Sequence, residues 1–316
     1  MFKIKTADMR AAENRGRKIL VLGESGVGKT SLLWSLPLES TLFVDIEAGD
    51  LAVEGWQGDS LEPTTWIELC NLAVFVGGPN PEAVPGAVYS QGHYDAVAEE
   101  YAAQNITQEL FQKYDTLFID SLTDMSRLCF QWCLTQPESW NKEGVKNTMG
   151  TYGLLGVSMI AMLKQIQKTR HMNVIFLGIL DEFKDENGAK TFVAQIEGSK
   201  VGREIPGIVD EVFTMAILSH PETGETYRAL VTNRDNRWRF PAKDRSGRLN
   251  DVEEPHLGRV MEKMNNKAPA GSNLVHSVPS QDQTTEQDQG QPVPAESSAN
   301  PAQGHAPTTS PIPIPR

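Results

Sequence analysis

Runs of consecutive apolar residues recur along the first part of the chain, at Lys18–Gly23, Thr41–Ile46, Tyr114–Asp120 and Val174–Ile179. Short unbroken runs of this kind read as strands covered on both faces, as a parallel sheet requires. Between them the apolar positions take helical spacing. The clearest case is Gly156–Lys168, where Met159, Met162, Leu163 and Ile166 share one face. Leu32–Leu36 predicts a helix that Pro37 stops. Strands alternating with helices predict an α/β fold, a mostly parallel sheet flanked by helices on both faces.

The pattern changes toward the C-terminus. Asn187-Gly188 lies between Asp181–Glu186 and Ala189–Ile196, which predicts a hairpin with a tight turn. Val212–Leu218 and Tyr227–Asn233 flank Pro221-Glu222-Thr223-Gly224, and Arg237–Phe240 is a further strand to pair with them. These runs predict an antiparallel extension on one edge of the sheet. Residues 55–108 hold Gly77-Gly78-Pro79, Pro81 and Pro85 and read as an insertion loop flanked by helices. The resulting division is a lead-in over 1–17, a globular domain over 18–266, and a tail over 267–316. That tail contains no Phe, Trp or Tyr and holds nine of the 19 prolines. It cannot bury enough apolar surface to offset its ordering entropy, so it is expected to be disordered.

Composition narrows the classes. The net charge is −12, which argues against a generally basic nucleic-acid coat but leaves room for a local basic groove. Three cysteines, Cys70, Cys129 and Cys133, form no disulfide framework and no paired zinc signature. Cys129 and Cys133 lie four apart on an expected helix and read as core thiols. No apolar run is long enough for a membrane span, and charges interrupt the N-terminus where a signal peptide needs an apolar stretch. The expected location is cytoplasmic, with no membrane partner. The histidines show no ligand spacing.

Chemistry concentrates at Gly23-Glu24-Ser25-Gly26-Val27-Gly28-Lys29-Thr30, a full GxxxxGK[ST] match between a strand and an expected helix. The glycines let backbone N–H groups turn inward around phosphate oxygens. Lys29 would neutralise the β and γ phosphates, the Thr30 hydroxyl would ligate Mg²⁺, and the helix start through Ser31 favours an anion. Asp120, just past the Leu117-Phe118-Ile119 run, can hold the magnesium through water beside Thr30, or cap the helix that follows. Glu47 follows the second strand, where carboxyl strand ends line a ligand crevice, and is the candidate general base. Asp45 and Asp50 are its rivals. Lys243-Asp244-Arg245-Ser246-Gly247 lies in the stretch Arg228–Arg248, which has seven basic residues against Asp235 and Asp244. Lys243 and Arg245 are either cations that reach a γ-phosphate from a neighbouring subunit or part of a solvated hairpin face.

Taken together, the P-loop strand, Asp45-Ile46-Glu47, Ile119-Asp120-Ser121-Leu122 and Lys243-Asp244-Arg245 resemble the RecA-type ATPases. Within them the chain is most similar to the phage ATP-binding proteins of the Sak single-strand-annealing type, over about Lys18 to Met264. The resemblance implies a RecA-like core that uses ATP and Mg²⁺. It implies Glu47 as the catalytic glutamate, Asp120 at the metal, and Lys243 and Arg245 acting across a subunit interface. It further implies a homo-oligomeric ring or filament on single-stranded DNA, serving recombination, replication or repair. Residues 140–152 (Lys142, Lys146, Asn147, with Trp140 and Tyr152 to stack on bases) and 184–203 (Lys190, Lys200, Arg203) are then the candidate DNA loops. In the blander alternative Trp140 packs on the body and these lysines are merely solvated. The tail is either an arm for another replication protein or a plain solvated extension. One departure stands out: Ile179-Leu180 occupy the point where RecA-type proteins usually place a polar γ-phosphate sensor. This leaves a nucleotide-gated assembly module with little hydrolysis as the alternative function, and a duplex DNA motor as a third.

Overall fold

A computed structural model of the chain describes residues 4–13, 15–184 and 190–266. The strands are β1 (Lys18–Gly23), β2 (Thr41–Asp45), β3 (Asp59–Leu61), β4 (Thr116–Asp120), β5 (Asn173–Lys184), β6 (Lys190–Ala194), β7 (Glu211–Ser219), β8 (Thr226–Val231) and β9 (Val252–Glu253). The helices are α1 (Ala7–Ala12), α2 (Trp66–Gly77), α3 (Gln91–Ala103), α4 (Gln108–Phe111), α5 (Leu122–Leu134), α6 (Thr148–Gln167), α7 (Ser199–Ile208) and α8 (Leu257–Asn265). The sheet runs β3-β2-β4-β5-β1-β7-β8-β9, with β6 hydrogen-bonded to β5. Every pair from β3 to β7 is parallel, whereas β7/β8, β8/β9 and β5/β6 are antiparallel. This is a mostly parallel sheet with an antiparallel C-terminal side.

Side-chain alternation along the strands divides the core into two layers. Leu20 and Leu22 of β1 join Leu42, Leu117 and Phe176 beneath α2, α5 and α6. Ile19 and Val21 join Phe43, Phe118 and Ile175 against Leu32, Leu33 and α8. Ile19 and Val21 are wholly buried, and each such side chain contributes ~1.5–3 kcal/mol of transfer free energy. Met159, Met162, Leu163 and Ile166 line the buried face of α6, and all three cysteines are buried and free. Within 55–108, α2 is a core element: a capping box between Thr65 and Glu68 starts it, and it buries Leu69, Cys70, Leu72 and Phe75.

Three local expectations change. The helix at Leu32–Leu36 is a single 3-10 stretch over Thr30–Ser35. Leu36 already has extended backbone (φ −111°, ψ 152°) because Pro37 disfavours the helical region before it. Arg237–Phe240 is not a strand. Asn236 ties that segment into a loop by accepting from Phe240 N at 3.0 Å and donating to Phe240 O at 2.9 Å. The strand beside β8 is instead the two-residue β9. The hairpin expected around Asn187-Gly188 has its strands in β5 and β6, while its turn lies outside the described residues, as does the 267–316 tail. Among the described residues, no helix is long and apolar enough to cross a membrane.

Candidate phosphate-binding site

β1 delivers the chain to Gly23 at the carboxyl edge of the sheet, between β5 and β7. A Cβ at Gly23 would lie 2.7 Å from the Met215 carbonyl oxygen, so only glycine fits there. Gly28 has φ +102°, a left-handed conformation that turns the loop back toward Lys29. Glu24, Ser25 and Gly26 are exposed at the loop's apex, and Ser31 is exposed just past its end. Val27 anchors the loop by packing into the layer of Leu32 and Phe213.

Three side chains converge at the loop's mouth. Lys29 Nζ donates to the carbonyl oxygens of Gly23 and Glu24, both at 3.0 Å. Thr30 Oγ1 donates to Asp120 Oδ2 at 2.6 Å. Asp120 ends β4, in register with Asp45 of β2. Burial pushes the Asp120 carboxyl up to about 6; the Thr30 bond and Lys29 oppose the rise, and Glu47 and Asp45 add to it. Burial likewise holds the Lys29 ammonium below its ordinary value, against the pull of Asp120 and Glu47. A carboxylate and an ammonium are thus desolvated side by side, which primes the site for a bound cation and a bound anion.

Glu47 is exposed on the loop after β2, and its backbone N–H donates to the Asp120 carbonyl at 3.2 Å. Asp45 is buried and already committed, accepting from Gly49 N at 3.0 Å. Asp50 starts a 3-10 turn and faces a separate cavity of about 350 Å³ shared with Glu54 and Trp56. Of the three acids, Glu47 alone combines solvent access with an electrostatic influence on both Lys29 and Asp120. The cap of α5 is Ser121, whose Oγ accepts from Asp124 N at 3.2 Å, so Asp120 is not needed for that task.

Among the described residues, no group of three or more His, Cys, Asp or Glu side chains is arranged to hold a metal. The oxygen donors at the loop are the Thr30 hydroxyl and the Asp120 carboxylate. Such a sparse oxygen set suits Mg²⁺, which keeps several waters and shares its coordination with phosphate oxygens.

Lys243 and Arg245 are not brought to this loop within one chain. Lys243 Nζ donates to the carbonyls of Pro206 at 2.7 Å and Val209 at 2.8 Å, at the end of α7. Arg245 pairs with Asp210 at 2.8 Å. Asp210 in turn bonds the backbone of Lys18, at the amino end of β1 and away from the phosphate loop. The expected DNA loops are partly ordered elements. Asn141 and Val145 close a turn that brings Trp140 opposite Lys146, and Trp140 is 48% exposed. Tyr152 lies on α6 with its ring 5.3 Å from Phe130. Residues 184–203 span the end of β5, β6 and the start of α7 rather than one loop, with 185–189 outside the described residues.

One site residue escaped the sequence pattern. Arg228 of β8 donates through Nε to the Val27 carbonyl at 3.0 Å, and its side chain passes beside Gly28. The only sequence signal was membership of the basic stretch. The contact depends on the β7/β8 hairpin, which folds Arg228 back opposite Ile217 and over the phosphate loop.

The sequence profile described as "AAA domain" matches residues 15–246. No curated protein matches the chain. Solved structures similar to it include the following two. A KaiC-like protein from the hyperthermophilic archaeon Pyrococcus horikoshii is 14% identical, with a TM-score of 0.34 over 69% of this chain and 78% of that one. An ATPase of the type III secretion system of pathogenic bacteria is also 14% identical, with a TM-score of 0.34 over 64% of this chain and 51% of that one.

Proposed function

We propose a specific role for a chain that belongs to the AAA domain family of P-loop ATPases: Mg²⁺-dependent hydrolysis of ATP, coupled to single-stranded DNA in recombination, replication or repair. The reading follows the motifs it shares with phage proteins of the Sak single-strand-annealing type. The observation that carries it is the 2.6 Å bond between Thr30 Oγ1 and Asp120 Oδ2 beside Lys29. A strand-to-helix glycine turn with no catalytic purpose has no need to bury a carboxylate there.

In this account the inward N–H groups of Gly26–Thr30 bind the phosphates, and Lys29 leaves its two carbonyls to neutralise their charge. Thr30 and Asp120 would hold Mg²⁺, which would screen the charge on the phosphate oxygens. Glu47 takes the proton of the attacking water. In a ring or filament, Arg245 is the more available trans cation, since its side chain is 56% exposed while Lys243 must break two bonds. The test is ATP turnover with and without single-stranded DNA, alongside Lys29→Ala. DNA-stimulated turnover that disappears in the variant supports the reading; undiminished turnover in the variant overturns it.

One observation favours a second reading. Leu180, 7% exposed, stands where a polar γ-phosphate sensor is expected. A nucleotide-gated assembly module predicts an ATP-dependent increase in particle size with no turnover, measurable by light scattering.

A further inference from the structure

A groove of about 900 Å³ opens between β6 and the segment 234–243, separate from the phosphate loop. Among the described residues, Asp235 is the only acid in its lining, against Lys190, Arg234, Arg239 and Lys243. Lys190 pairs with Glu182 and Lys243 with backbone carbonyls. Arg234 and Arg239 have no ion pair among the described residues. In a chain of net charge −12, two unpaired guanidinium groups facing one groove call for an anionic partner.

The groove also carries flat apolar surface. Phe240 packs against Phe192 with ring centroids 5.0 Å apart, and against Trp238 at 6.4 Å and 15° between planes. The Arg237 guanidinium lies 4.5 Å over the Trp238 ring. The loop is held for this purpose: Asn236 bonds both the N–H and the carbonyl of Phe240, and Arg239 adopts φ +61°. Phosphate-binding arginines beside near-parallel rings suit a strand whose bases are free to stack, and a duplex hides those base faces.

We propose that this groove is a binding surface for single-stranded nucleic acid, with Arg234 and Arg239 on the phosphates and Phe240, backed by Trp238, against a base. The assignment rests on the single-strand reading above and locates it on a surface other than 140–152. Phe240 gives the groove a link to the nucleotide site. The same ring walls a cavity of about 180 Å³ backed by Glu24–Val27 and Leu180. A strand in the groove would therefore lie against a ring that also walls a cavity at the phosphate loop.

The experiment is anisotropy of a fluorescein-labelled oligothymidylate across a salt series, with ATP turnover measured in parallel. The full chain is compared with Arg234→Ala/Arg239→Ala, Trp238→Ala and Lys142→Ala/Lys146→Ala. The arginine pair is expected to lose roughly tenfold or more in affinity and to flatten the log–log salt slope by about 1.4, at ~0.7 per phosphate contact. Trp238→Ala, which removes the ring behind Phe240, is expected to weaken binding with the slope unchanged, as loss of stacking requires. DNA-independent turnover should persist in both. Wild-type affinity and slope in the arginine variant overturn the groove alone. Equal losses on a duplex of the same length overturn its single-strand assignment. Failure of the wild-type protein to bind the oligomer overturns the single-strand reading of the function as well.

Discussion

Lys29 and Lys243 make nearly the same bonds and stand in opposite circumstances. Each donates to two backbone carbonyls, at 3.0 and 3.0 Å for Lys29 and at 2.7 and 2.8 Å for Lys243. Burial holds both ammonium groups below their ordinary value. Of the two carbonyls of Lys243, that of Pro206 lies in the last turn of α7, where it has no helical partner and carries the negative end of the dipole, and that of Val209 belongs to the extended residue that follows. Lys243 completes a helix terminus. The carbonyls of Lys29 belong to the glycine turn at the end of β1, and beside it lies a buried carboxylate bonded to a hydroxyl. A lysine's hydrogen bonds therefore do not reveal its role. What distinguishes the two is whether neighbouring charges remain for a ligand to satisfy.

That contrast can be sharpened or broken residue by residue. Glu47→Gln is expected to cut turnover ~10²–10⁴-fold while nucleotide binding persists, the loss expected of a general base. Asp45→Asn should instead perturb the loop that Gly49 closes. The opposite assignment of losses would exchange their roles. Asp120→Asn removes the charge opposite Thr30 and is expected to cost ~10²–10³ in turnover, with a raised Mg²⁺ requirement in a metal titration. Arg228→Ala removes one hydrogen bond behind the phosphate loop, worth ~0.5–1.5 kcal/mol. It should raise KM roughly 3- to 10-fold with kcat nearly intact, since that bond braces the loop equally before and during reaction. Arg228→Lys should recover part of the loss.

A further effect, on stability rather than turnover, concerns the buried Lys18. Lys18 donates to three carbonyls, and burial lowers its ammonium to about 8 from 10.5. The unfolded chain then holds that proton more tightly than the folded one. Stability from this group rises as pH increases from about 8 to 10.5 and is lowest below that window. Denaturant titrations of wild type and Lys18→Met should diverge with that sign across the window.

How much the sequence disclosed follows from how local each feature is. The phosphate loop was legible because it is built from consecutive residues whose backbone freedom is written in their identities. Asp120 was legible because it ends an apolar strand at the carboxyl edge of the sheet, the edge that also carries the phosphate loop, with β5 between β4 and β1. The parallel strands showed as unbroken apolar runs. Arg228 was hidden because its partner lies across a hairpin and 201 positions away. β9 was hidden because two residues have no period. Arg237–Phe240 read as a strand because Trp and Phe favour strands, but the four side-chain bonds of Asn236 that involve this loop outweigh that preference. The bonds of Lys243 within its own chain were hidden because a charge pattern does not show which carbonyls a fold leaves without partners.

The most direct measurement sets the two lysines against each other: ATP turnover and melting temperature of Lys29→Ala and Lys243→Ala, side by side with wild type. The account predicts that Lys29→Ala loses turnover and keeps its melting temperature. It predicts that Lys243→Ala, which leaves two carbonyls without a donor at ~1–3 kcal/mol, melts a few degrees lower and retains turnover per folded molecule. Turnover lost from Lys243→Ala at an unchanged melting temperature would contradict the account and place that lysine in catalysis across a subunit interface.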